Sequence, residues 1–136
     1  MSPNPYEPPT AFGPERATRT LFVLAAVGAW AASAYWAALT LMIGLGVATS
    51  SASPLQIVLP LVLIGLYAVR GFQVLKGQAA ATTRLLWLHG VGGVIALTQV
   101  YSGTGILVVL QGIKVAIHVF GGVATYLARR ALVRGA

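Results

Sequence analysis

The chain has 136 residues, of which 57% are hydrophobic and 8% are charged, and its formal net charge is +7. Soluble domains contain about 25% charged residues, so this composition excludes an ordinary water-soluble fold and predicts an integral membrane protein. The cations lie mostly beside apolar stretches, where they set topology and contact anionic lipid, so the expected partner is the lipid bilayer and not nucleic acid.

Residues 1–16 form a proline-rich segment before the first apolar stretch. Five of the seven prolines lie here, at positions 3, 5, 8, 9 and 14. Proline lacks a backbone donor and disrupts helices. We therefore predict a disordered cytoplasmic tail over residues 1–16, followed by a membrane domain over residues 17–136.

Four apolar stretches follow, and they predict spans over about residues 20–49, 54–75, 83–101 and 105–127. A helix rises about 1.5 Å per residue, so about 20 apolar residues cross the roughly 30 Å hydrocarbon core. The fold class predicted is all-α, a four-helix transmembrane bundle with short extracytoplasmic turns.

The cations predict the orientation of the bundle. They precede the first span, surround the link between the second and third spans, and follow the fourth: Arg16, Arg19, Arg70, Lys76, Arg84, Arg129, Arg130 and Arg134. The two other links, near residues 50–53 and 102–105, carry no charge. Under the positive-inside rule both termini are cytoplasmic.

Small residues recur at helical spacing along three of the predicted spans. Such stripes let neighbouring backbones approach closely in a membrane, where helix association depends on packing. Each stripe is able to pack against another helix of the same chain or against a second copy of the chain, and the pattern alone does not decide between these two interfaces. The stripes are Ala25, Ala29, Ser33 and Ala37; Gly92, Gly93 and Ala96; Gly121, Gly122 and Thr125.

Polar residues in the third and fourth spans indicate a polar face turned away from lipid. Gln111, Lys114 and His118 share one face of the fourth span, and His89 and Gln99 lie on the third. Counted from the turn at Gly103, His89 is 14 residues back and His118 is 15 residues forward. In an antiparallel hairpin the two histidines are therefore expected at the same depth.

Lys114 is expected near the middle of the bilayer, where a charged lysine costs at least about 2.5–3.5 kcal/mol. The spans contain no carboxylate, since the only acidic residues are Glu7 and Glu15. The cost is offset by a neutral amine, by carbonyls or water, by an anion, or by an acid on another subunit. Arg70 lies near the end of its span and is expected to snorkel, with Tyr67 one turn away to share its hydrogen bonding.

Three functions remain open on these residues. The first is a non-enzymatic accessory or scaffold subunit that packs with itself as a homo-oligomer, or with a membrane partner, through the small-residue stripes and the polar face. The second is haem b ligated by His89 and His118, with Lys114 at a propionate. The third is a proton or anion path lined by Lys114, His118 and Arg70. An enzyme is not expected, because a chain without aspartate or cysteine has no serine–histidine–aspartate triad and no cysteine nucleophile.

Two short segments carry a resemblance. The Asn4, Pro5, Tyr6, Glu7, Pro8 tail and the Gly71, Phe72, Gln73, Val74, Leu75, Lys76, Gly77 stretch before a basic link resemble small bacterial four-span membrane proteins. The resemblance implies a multi-pass protein of the bacterial inner membrane, and it assigns no activity and no functional residue.

Overall fold

The computed structural model describes residues 14–44 and 54–135, and these residues form four α-helices. The helices are α1 (Pro14–Gly44), α2 (Pro54–Leu75), α3 (Ala79–Ser102) and α4 (Ile106–Gly135). Each is long and apolar enough to cross a membrane. The prediction of an all-α, four-helix transmembrane bundle is confirmed.

Each of the first two helices begins with a proline. Helix α2 has the predicted bounds and begins at Pro54, while α1 begins at Pro14, inside the segment predicted to be a tail. Proline is accepted in the first helical turn because its missing N–H has no intrahelical partner there. The rest of the predicted tail, residues 1–13, and the predicted outward link near residues 50–53 lie outside the described residues.

The last two helices extend beyond the apolar stretches that predicted them. Helix α3 begins four residues before the predicted start at 83, and its Ala81 and Thr82 are buried. Helix α4 continues past residue 127 to Gly135, and Ala128 in this extension is fully buried. An apolar stretch marks only the part of a helix that lies inside lipid. The helix continues beyond it for as long as its backbone groups keep their intrahelical hydrogen bonds.

The two described links are short and each contains a glycine with positive φ. In the first, Gly77 has φ +74°, its N–H donates to the Val74 carbonyl, and the Gln78 N–H donates to the Gln73 carbonyl. This pattern is a Schellman motif, which ends α2. Gly105, with φ +57°, precedes α4.

The helices follow one another around the bundle in chain order, and α4 packs against α1 to close it. The interface between α2 and α3 is the loosest of the four. Ala25, Ala29 and Ala32 are buried at the centre of α1. A Cβ atom added to Gly28 would lie 2.6 Å from the Cα atom of Gly121, so the backbones of α1 and α4 meet there.

Two side-chain hydrogen bonds add to these helix contacts. The Ser33 hydroxyl donates to the Ile64 carbonyl at 3.1 Å, joining α1 to α2, and the Tyr35 hydroxyl donates to the Leu110 carbonyl at 3.4 Å, joining α1 to α4. Much of the small-residue stripe on α1 is therefore used within the chain, although Ala37 at its end is exposed.

Candidate functional site

Side chains from all four helices meet inside the bundle in a group that we call the polar cluster. Its members are Trp36 of α1, Tyr67 of α2, His89 and Gln99 of α3, and Lys114 and His118 of α4. Tyr67, His89, Lys114 and His118 are buried, with no more than 3% of any of them exposed. Gln99 lies at the edge and is exposed.

Lys114 points into the bundle, as the polar face of α4 predicted. Its Nζ atom donates to the Gln99 side-chain oxygen at 3.2 Å and lies 4.5 Å from the centroid of the Trp36 ring. An amide oxygen and an aromatic face are both favourable surroundings for an ammonium group. Two neighbours of the amine therefore come from this chain, and neither is an acid.

The nearest acidic residue along α1 is far from this amine. Trp36, which contacts Lys114, lies 21 residues after Glu15, or about 31 Å along a helix at 1.5 Å per residue. The prediction that a partner subunit supplies a carboxylate stays a prediction. Because Lys114 is only 3% exposed, such a carboxylate would have to enter the bundle to reach it.

The two histidines lie at the same depth and touch. Their Nδ1 atoms are 3.2 Å apart, and the ring centroids are 5.5 Å apart with an angle of 65° between the ring planes. The Tyr67 ring packs against both, and its hydroxyl lies 3.5 Å from His118 Nδ1. Counting residues from the turn at Gly103 predicted a common depth for the two histidines, and their contact agrees with that prediction.

Each imidazole occupies the space above a glycine on the opposite helix. A Cβ atom added to Gly92 would lie 2.6 Å from His118 Cε1, and one added to Gly121 would overlap the His89 ring. These distances are shorter than a van der Waals contact of about 3.5–4.0 Å. The glycines of the second and third stripes therefore admit the histidines, and this is a use that the sequence pattern did not assign to them.

The hydrogen bonds favour one protonation pattern for the pair. The Tyr67 hydroxyl donates to the Leu88 carbonyl at 2.9 Å, so its oxygen is left to accept. A proton on His118 Nδ1 is then able to point at both Tyr67 and His89 Nδ1, and in this pattern the proton of a neutral His89 is on Nε2. That Nε2 atom is buried and has no hydrogen-bond partner among the described residues.

The histidine pair does not fit haem b as it is placed. Two axial imidazoles bind iron from opposite faces of a porphyrin, so the macrocycle must lie between them. Here the two Nδ1 atoms are within hydrogen-bond distance of each other, and both rings rest on glycine backbone.

The remaining predicted residues lie around the polar cluster. Gln111 is half-buried, and its side-chain oxygen is enclosed without a partner in the described part of the chain. The expectation that Tyr67 shares the hydrogen bonding of Arg70 is wrong. The Arg70 guanidinium donates to the Gln73 side-chain oxygen, while Tyr67 turns inward to the histidines.

Trp36 is the member of the polar cluster that the sequence did not identify. Tryptophan in a span is typical of packing or of the interfacial belt, and Trp36 lies on a different helix from the lysine it contacts. The cluster as a whole supplies donors, acceptors and an amine, but no nucleophile positioned by a carboxylate. No protein-family model, curated protein or solved structure matches this chain.

Proposed function

We propose that this protein is a non-enzymatic accessory subunit of a membrane assembly, in which the polar cluster fixes the packing of its own four helices. The observation that carries the proposal is that two buried polar groups of α4, Lys114 and His118, find partners inside the chain. Lys114 bonds to Gln99, and His118 contacts His89 and Tyr67. Groups that are occupied in this way specify helix pairing and are not free for a substrate.

The burial of the polar cluster supports the same proposal. A catalytic or transport site has to admit its substrate, whereas His89 and His118 are 1% and 3% exposed. The small residues Ala25, Ala29 and Gly121 are also enclosed between helices of this chain. Association with a partner, or with a second copy, then uses the outer, lipid-facing surfaces rather than these stripes.

We further propose that the protein lies in the bacterial inner membrane with both termini in the cytoplasm. The charges support this orientation. Arg70, Arg84 and Arg130 all lie toward the end of the antiparallel bundle that contains the α2–α3 link. The link between α3 and α4 has no charge. Positive residues are retained on the cytoplasmic side during insertion.

The test is native purification of the tagged full chain from its own host in a mild detergent, followed by native electrophoresis and mass spectrometry. We expect a discrete complex containing at least one other membrane protein. Lys114→Met should leave the expression level and the size of the complex unchanged, because interior hydrogen bonds in membranes contribute on average only about 0.6 kcal/mol.

Two results would contradict the proposal. One is a wild-type protein that migrates alone at native expression levels in several detergents. The other is loss of the complex by Lys114→Met while the purified variant keeps its helical circular dichroism, since that would give the amine a role at the interface. Ile113→Met, an exposed change in the adjacent residue, is the matched control.

A second candidate function, a proton relay, is favoured by one observation. Protonatable groups follow one another through the interior from Lys114 to His118, one turn away on α4, and then to His89, whose Nδ1 atom is 3.2 Å from that of His118. Proton flux into liposomes containing the purified protein tests this candidate. Changing Lys114 and His118 together should abolish the flux, and an unchanged flux would rule the relay out.

A further inference from the structure

A groove between α2 and α3 lies outside the polar cluster and beyond the proposed function. It is a largely open groove with a volume of about 370 Å³, and it is lined by Leu66, Arg70, Arg84, Trp87, Leu88 and Val91. This volume is within the range of about 300–1,000 Å³ that is usual for small-ligand sites. The groove exists because α2 and α3 are the loosest of the neighbouring helix pairs.

The groove has a charged end and an apolar end. Arg70 lies five residues before the end of α2, and Arg84 lies five residues after the start of α3. Both arginines are therefore about 7.5 Å from the same end of the bundle at 1.5 Å per residue. Toward the middle of the bundle the lining becomes Leu66, Leu88 and Val91.

The two arginines bring uncompensated positive charge to this groove. No acidic residue belongs to its lining. Arg70 donates to the neutral Gln73 amide, and a guanidinium has further N–H groups to offer. Arg84 and Trp87 are exposed, and Trp87, with 71% of its surface exposed, lies about one turn deeper along α3 than Arg84.

We infer that this groove binds one anionic phospholipid. Its phosphate is held between Arg70 and Arg84, the glycerol and ester groups lie beside the Trp87 indole, and an acyl chain runs along Leu66, Leu88 and Val91. The order of the lining along the membrane normal, cationic and then apolar, is the order of groups in a phospholipid. Basic pockets between transmembrane helices are known to favour anionic headgroups, and guanidinium groups bind phosphate oxygens in pairs.

The groove suits a lipid better than a protein segment. Both arginines lie near one end of the bundle, where long side chains extend toward lipid phosphates, and the groove opens outward through exposed residues such as Val91. A lipid is present in large excess at that surface, while a protein segment would have to bring its own acid into the membrane. A co-purified acidic peptide in place of lipid is therefore an outcome that would overturn the inference.

Trp87 gives a direct probe of this site in the full-length protein. The chain is reconstituted in phosphatidylcholine vesicles that contain a minor fraction of either brominated phosphatidylglycerol or brominated phosphatidylcholine. Bromine quenches tryptophan fluorescence on contact. We expect phosphatidylglycerol to quench more strongly, and Trp87→Phe to remove this difference, because Trp30 and Trp36 lie away from the groove lining.

Charge variants measure the contribution of each arginine. Arg70→Gln and Arg84→Gln should each weaken the apparent affinity for phosphatidylglycerol about fivefold, which corresponds to about 1 kcal/mol per basic residue near an anionic surface. Lys76→Gln is the matched control, because Lys76 lies in the link between α2 and α3 and does not line the groove. Val91→Phe leaves the charge unchanged and should weaken binding by filling the apolar end.

Three results would overturn the inference. The first is equal quenching of the wild-type protein by the two lipids, a comparison that requires no variant to fold. The second is an equal loss for Lys76→Gln and Arg84→Gln, which would show a diffuse surface attraction. The third is full retention of the phosphatidylglycerol preference when Arg70 and Arg84 are both changed to glutamine.

Discussion

Replacing Gly28 with alanine should separate α1 from α4. The added Cβ atom would lie 2.6 Å from Gly121 Cα and 3.3 Å from Gly121 N. Because both of these are backbone atoms, no side-chain rotation relieves the contact. Restoring a normal distance of about 3.5–4.0 Å requires the two helices to move apart by about 1 Å.

The size of the effect follows from two opposing terms. Overpacking of a tight interior costs about 1–3 kcal/mol, and alanine recovers up to about 1 kcal/mol through its better helix propensity. The clash is between backbones, so the first term should lie at its upper end. We expect Gly28→Ala to lower the free energy of unfolding by about 2 kcal/mol.

The measurement is reversible unfolding in mixed micelles, in which sodium dodecyl sulfate is titrated into a mild detergent and helix content is followed by circular dichroism. Gly112→Ala on α4 and Gly90→Ala on α3 are matched controls, because an added Cβ atom meets nothing within 4 Å at either position. Both controls should be as stable as the wild type or more stable. If Gly28→Ala is as stable as Gly112→Ala, α1 and α4 do not approach as described.

Three further predictions concern the polar cluster and the topology. A double-mutant cycle of His89→Leu and His118→Leu, measured by the same unfolding assay, should give a coupling energy of about 0.6 kcal/mol and at most about 1.7 kcal/mol; a coupling of zero would mean that the rings do not interact. Tyr67→Phe should cost about 0.6 kcal/mol, since it removes the hydroxyl that donates to the Leu88 carbonyl, whereas Tyr101→Phe, at a residue 89% exposed, should cost nothing measurable. Because the chain has no cysteine, a membrane-impermeant maleimide should label Thr104→Cys from outside the cell and Gln78→Cys only after the membrane is permeabilised; the reverse pattern would invert the orientation.

The features that the sequence predicted well depend on fixed helix geometry. The bounds of α2 follow from Pro54 and from the Gly77 turn, both of which act locally. The common depth of His89 and His118 follows from a constant rise per residue and a short link at Gly103. Neither prediction requires knowledge of how a helix is rotated about its axis.

The features that the sequence did not predict depend on that rotation. Tyr67 and Arg70 are three residues apart, so they lie on neighbouring but different parts of the α2 surface, about 60° apart at 3.6 residues per turn. The observed rotation turns Tyr67 to the histidines and leaves Arg70 in the groove with Arg84. The contact of Lys114 with Trp36 likewise joins helices that are distant in the sequence.

Packing and polar contacts have different consequences in this bundle. In a membrane the close approach of Gly28 and Gly121 contributes through many small van der Waals contacts, while each hydrogen bond contributes on average only about 0.6 kcal/mol. The polar contacts are nevertheless sensitive to register. His89 rests on Gly121 while His118 rests on Gly92, and a shift by one residue moves a helix about 1.5 Å and turns its surface by about 100°. Such a shift would place both imidazoles against larger side chains or lipid. The two reciprocal contacts therefore select one antiparallel alignment of α3 and α4, even though they add little to the energy that holds the helices together.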